Sequence, residues 1–157
     1  MSVTANNTNS NFLPVEGEWE MIQVPFKASV AMEDGTAVSP EISSNDVTGY
    51  LGKMGTENAT GSDFFGIIAE AITSSDDDYA TAGKLKSVWV PISRYSRAYF
   101  SPDTGSLAAT DVFRTVEIGA DSKSLNIDTA GKGARIVQFL NTGRGICTFD
   151  LPATETA

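Results

Sequence analysis

Histidine is absent from this 157-residue chain, and cysteine occurs once, at Cys147. Without histidine the chain lacks the side chain that moves protons near neutral pH, activates serine and cysteine nucleophiles and most often ligates zinc. No histidine-based triad can be assembled within it. A lone cysteine closes no intrachain disulfide and is too few for a thiolate metal site. It lies in the apolar stretch Gly145-Ile146-Cys147-Thr148-Phe149, which reads as a buried structural thiol with no base to activate it. Apolar runs never approach the length of about 18 residues that a spanning helix needs, so no membrane partner is expected. Residues 1–14 hold neither a basic residue nor a continuous apolar stretch, unlike a secretory signal peptide. Positive charge is also scarce, with 11 Lys and Arg against 20 Asp and Glu and a formal charge of −9. Direct nucleic-acid binding through a basic face is therefore disfavoured.

What is present is enough apolar material for one domain: 41% of residues are hydrophobic and 20% charged, in a chain of single-domain length. Residues 2–11 are almost entirely Ser, Thr, Asn, Val and Ala, a composition that buries too little apolar area to offset ordering entropy. The expected organisation is a flexible N-terminal arm over residues 1–14, a β domain over 15–152 and a short tail over 153–157. Phe12, Leu13 and Val15, at the root of the arm, suit either a first core strand or a docking peg for a partner.

From Trp19 the pattern alternates or runs in short apolar blocks, with Pro25 as the expected stop. Glu33-Asp34-Gly35 lies between residues 28–32 and 36–38 and has the makeup of a hairpin turn. Residues 45–62 hold four glycines among Thr, Asn and Ser and read as a long loop or a weak strand pair. Residues 64–72 fit a helical period in Phe64, Ile67, Ile68 and Ile72, yet Gly66 and the β-prone Phe and Ile residues tip them to strand. Further strands are expected at 85–92, 97–100, 112–118, 124–127, 134–140 and 145–151. Nine or ten short strands about ten residues apart, with no long amphipathic helix, point to an all-β antiparallel sandwich or barrel-like domain.

Candidate chemistry is sparse. Asp76-Asp77-Asp78 offers oxygens to a hard cation, but consecutive acids diverge where a calcium loop presents alternate ones, so a solvated loop is the simpler reading. A pair among the acids would suffice for glycoside hydrolysis, but spacing singles out no pair. Gly131-Lys132-Gly133 and Gly143-Arg144-Gly145 place a cation between glycines without a Walker pattern, and read as hairpin turns with an exposed cation. Charge is unevenly divided: residues 1–83 carry two Lys against thirteen acids, a net of −11, and residues 84–157 a net of +2. Arg94, Tyr95, Arg97 and Tyr99 combine charge with amphipathic area and are candidate contact residues, with a solvated sheet face as the plainer alternative.

Several segments taken together resemble the head decoration, or capsid cement, proteins of tailed bacteriophages. They are Phe65-Gly66-Ile67-Ile68-Ala69-Glu70, Lys86-Ser87-Val88-Trp89-Val90-Pro91-Ile92, Asp111-Val112 with Thr115-Val116, and Gly133-Ala134-Arg135-Ile136-Val137. The polar arm, low cysteine content and Thr-Ala-Gly-rich texture agree with virion structural proteins generally. The likeness spans residues 60–150 in style and contains no signature motif. It implies a β domain made in a host cytoplasm and placed on the outer surface of the capsid, where it bridges subunits of the major capsid protein. It implies a homo-oligomer, a trimer before other states, with no enzymatic activity and no cofactor. It also implies an N-terminal arm that pairs with capsid strands, for which Asn11, Phe12, Leu13 and Val15 are the matching stretch. The alternatives are a β-rich tail or fibre subunit, a carbohydrate- or receptor-binding β-sandwich module, and a carboxylate hydrolase.

Overall fold

Short apolar segments fold as eleven strands within the described residues, which are 10–54, 64–131 and 133–149 of a computed structural model. One group is β1 (Leu13–Glu16), β7 (Arg97–Phe100), β8 (Thr115–Ile118), β9 (Leu125–Ala130), β10 (Ala134–Asn141) and β11 (Arg144–Phe149). These form a six-stranded sheet in the order β1-β7-β11-β10-β8-β9, with antiparallel neighbours throughout. The other group is β2 (Trp19–Phe26), β3 (Ala37–Ser43), β4 (Asp46–Lys53), β5 (Gly66–Ile68) and β6 (Lys84–Pro91), which close a small barrel in the order β2-β4-β3-β5-β6. The all-β, sandwich or barrel-like class expected from strand spacing is the one the chain adopts.

Two apolar clusters hold the layers. One fills the barrel with Phe26, Met32, Val38, Leu51, Ile68, Ile72 and Val88. The larger lies where the barrel meets the sheet: Trp19, Ala37, Met54, Phe64 and Ile67 face Ala98, Phe100, Val116, Leu125, Ile136, Cys147 and Phe149. The Phe64 and Phe149 rings stack across this junction with centroids 4.0 Å apart. Successive residues of a strand point to opposite faces, so Ala37 and Ile67 serve the junction while Val38 and Ile68 serve the barrel. Strands β3 and β5 are thus walls shared by both clusters, which explains why residues 64–68 run apolar without alternation. Gly66 permits this closeness: a Cβ there would lie 2.4 Å from the Trp89 carbonyl oxygen.

Four local expectations are corrected. Residues 28–32 do not form a hairpin arm: Met32 makes one isolated bridge to Ile72, and the turn at Asp34-Gly35 (Gly35 φ +86°) leads into β3, whose partners are β4 and β5. The two-residue hairpin lies instead between β3 and β4 at Ser44 and Asn45, with φ +51° and +69°, the geometry of a type I′ turn built without glycine. That hairpin makes residues 46–53 one full strand paired with β3, in place of the long loop or weak strand pair expected over 45–62; residues 55–63 lie outside the described residues. Pro25 does not stop β2, which continues to Phe26. Residues 112–114 follow a 3₁₀ turn at Ala109–Asp111, and strand begins only at Thr115.

The packed body also starts earlier than residue 15. Asn11 is 6% exposed and Phe12 fully buried, and β1 begins at Leu13. Of the expected arm, residues 1–9 lie outside the described residues, whereas 11–14 are built into the domain.

Candidate contact surface

Strand β1 pairs with β7 in the register Leu13–Tyr99, Pro14–Ala98 and Glu16–Arg97. Six of the eight contact candidates, Asn11, Phe12, Leu13, Val15, Arg97 and Tyr99, thereby meet along one margin of the sheet. Their roles differ. Phe12 turns inward, with its ring edge-on to Phe149 at 5.1 Å and its amide donating to the Gly35 carbonyl at 3.2 Å. Asn11 is equally committed, since its Nδ2 donates to Glu33 Oε2 and to the Asp34 carbonyl, both at 3.0 Å. That bond, followed by the Lys123 ammonium, holds the Glu33 carboxyl below the ordinary carboxylate value. As a docking peg, then, Phe12 and Asn11 are unavailable: they are core and core margin.

Leu13, Val15, Arg97 and Tyr99 remain half-buried. Arg97 lies across from Glu16 at 3.4 Å, a solvent-screened pair of small energetic weight. The Tyr99 ring lies beneath the Arg144 guanidinium at 5.3 Å. Arg144 also donates to the carbonyls of Ser10 at 2.6 Å and Asn11 at 3.2 Å, and to Ser101 Oγ at 3.0 Å. Burial lowers its pKa, and it stays charged because a guanidinium starts so high. Sequence reasoning treated Arg144 as an exposed turn cation. It is instead the clasp that fixes the chain's root to β7 and β11, and no local motif announces this because its hydrogen-bond partners lie 43 to 134 residues away in sequence.

Arg94 and Tyr95 occupy a separate place, the turn between β6 and β7. Tyr95 is 68% exposed and neighbouring Ile92 49%, with the Arg94 guanidinium 5.4 Å from the Tyr95 ring centroid. The turn is pinned at its base: Ser96 Oγ donates to the Glu18 carbonyl at 2.5 Å, and the Ile92 amide donates to the same carbonyl at 3.0 Å. Gly17 (φ +78°) passes so close that a Cβ there would lie 2.9 Å from the Ser96 Cα. The result is a firmly held loop offering an aromatic ring, a guanidinium and an aliphatic side chain to solvent, the residue types that anchor protein interfaces.

The remaining candidates are dispersed. Cys147 is fully buried, and burial pushes its thiol pKa far upward, away from nucleophilic character. The three consecutive aspartates diverge: Asp76 accepts from the Thr73 amide and hydroxyl, both at 2.9 Å, while Asp78 pairs with Lys86 at 3.2 Å. Those two bonds from Thr73 keep the Asp76 carboxyl below its ordinary value. Among the described residues no three His, Cys, Asp or Glu side chains are grouped to hold a metal ion. Lys132 lies outside them. Comparison with protein-family models, curated proteins and solved structures finds no match to this chain.

Proposed function

We propose that this protein is a virion structural component that attaches to the outer surface of a tailed-phage head and stabilises it by bridging major capsid protein subunits, acting by contact and not by catalysis. The observation that carries this reading is the pinned loop at Ile92, Arg94 and Tyr95, an interface-type patch raised on a rigid all-β body. The segment resemblance to capsid cement proteins supplies the identity of the partner. A symmetric shell multiplies one weak loop contact over many copies, and oligomerisation as a trimer adds avidity.

The test is co-sedimentation of purified protein with heads of the phage whose genome encodes it. Stoichiometric binding to expanded, mature heads and not to immature ones is expected, with at least tenfold less bound after Arg94→Glu and Tyr95→Ser together. Thermal unfolding of that variant stays near wild type, since both side chains are exposed. Equal binding to both head forms, or none to either, overturns the proposal.

A further inference from the structure

The barrel is closed between β2 and β4 by a single residue pair. These two strands run parallel and meet only at Phe26 and Leu51, whereas β2 pairs with β6 along its full length from Trp19 to Phe26. In an antiparallel ladder, alternate residues turn their N–H and C=O toward the partner. The Glu18 and Phe26 carbonyls accept from the Ile92 and Gly83 amides on the β6 side, so even-numbered residues of β2 face β6 and odd-numbered ones face β4. The backbone groups of Met21 and Gln23 therefore point into a gap with no strand opposite among the described residues. Pro25, next in that series, has no N–H to leave unpaired, which suits proline to an open edge.

The gap is floored by an apolar pocket of about 340 Å³, lined chiefly by Val24, Pro25, Val47, Tyr50, Leu51 and Phe65. Val47 stands at its lip and is 69% exposed. Charge is arranged along the gap. Glu20, on the same face of β2 as Val24, and Asp46, the first residue of β4, are both exposed at the open end. Among the described residues neither makes an ion pair. The two lysines of residues 1–83 sit past the closed end, Lys27 beside Phe26 and Lys53 beyond Leu51, with Lys27 held by Glu41 at 2.6 Å.

We propose that this gap receives an extended peptide segment from another protein, one that carries a bulky aliphatic residue with Lys or Arg nearby. The segment pairs its backbone with the open edge of β2, seats the aliphatic side chain in the pocket and sets its cation beside Glu20 and Asp46. Unpaired backbone edges give such a peptide hydrogen bonds that a small apolar molecule cannot use. The acidic rim selects against negatively charged segments, this chain's own residues 150–157 with Asp150 and Glu155 included. This site is distinct from the Arg94–Tyr95 loop, and the inference holds whatever assembly that loop contacts.

The probe is a capped eight-residue peptide of alternating valine and threonine with a central leucine and a lysine at each end, titrated into the ¹⁵N-labelled full chain. Saturable shifts are expected at the Met21, Gln23, Val47 and Gly49 amides. A Glu-ended peptide should bind at least tenfold more weakly, and a peptide N-methylated at alternate residues, in each of the two phases, should lose at least tenfold in one phase. Val47→Arg, at an exposed position that leaves the fold intact, should weaken the lysine peptide at least tenfold, while Phe113→Ser, elsewhere on the surface, should leave it unchanged. Absence of binding at millimolar peptide, shifts confined to the β1 or β9 edges, indifference to peptide charge and methylation, or indifference to Val47→Arg each overturns the proposal. So does displacement of the peptide by a short-chain fatty acid accompanied by equal affinity of both methylated forms, which would make the pocket a small-molecule site.

Discussion

Replacing Phe12 by alanine separates a chain that begins its core at residue 11 from one that begins it after a loose arm. Phe12 is fully buried in the cluster between barrel and sheet and meets Phe149 edge-on at 5.1 Å. Truncation of a buried phenylalanine removes its transfer free energy and leaves a cavity, together about 3–5 kcal/mol. For a domain of this length each kcal/mol moves the melting temperature by about 2–4 °C, so Phe12→Ala should melt roughly 6–20 °C below wild type. Leu13→Ala is the internal comparison: Leu13 is one residue away and half-buried on the outer face of β1, so it should cost about 1 kcal/mol. Differential scanning calorimetry, with urea titration as a second measure, reads both variants. A Phe12→Ala protein within about 1 kcal/mol of wild type, or one no less stable than Leu13→Ala, would refute the placement of the chain's root in the core.

Three further outcomes are expected. Arg144→Ala removes a clasp of charge-assisted bonds to Ser10, Asn11 and Ser101 and should lower stability by about 1.5–3 kcal/mol; amide exchange at Phe12 and Leu13 should accelerate more than at β10, and uniform acceleration would contradict the clasp. Cys147 should resist a thiol reagent in buffer and react fully in denaturant, because the fold buries it and pushes its pKa up; rapid labelling of native protein would refute that burial. The folded pKa of Asp76 is lowered by its bonds from Thr73, so its stabilisation is present above the unfolded carboxylate value, near 4, and is lost as pH falls through the folded value. Melting temperature against pH should therefore fall less steeply below about pH 4 in Asp76→Asn than in wild type, and parallel curves would show that Thr73 does not bind the carboxylate.

Strands of the second half were legible where apolar and polar residues alternate, as in Thr115–Ile118 and at the start of Ala134–Asn141. Residues 64–68 were ambiguous for a physical reason: with both faces buried, they show no alternation for a period to detect. The β3–β4 hairpin was hidden because Ser44 and Asn45 adopt positive φ without the glycine that usually marks such a turn. At the candidate surface, composition singled out Arg94 and Tyr95, and the structure places both in solvent. It also singled out Asn11 and Phe12, where the same apolar and amide character serves internal packing. Arg144 stood out only as a cation between glycines, not as a clasp, and the gap beside β2 was not visible at all. The one depends on partners distant in sequence, and the other on where a strand has no neighbour among the described residues, which Pro25 alone does not single out.

The walls shared by β3 and β5 bear on how the molecule comes apart. Val38 and Ile68 line one apolar cluster while their immediate neighbours Ala37 and Ile67 line the other, so neither half can loosen without stripping contacts from its counterpart. Barrel and sheet are in that sense expected to act as one cooperative unit, with heat or denaturant melting both in a single transition, which coincident calorimetric and spectroscopic curves would check.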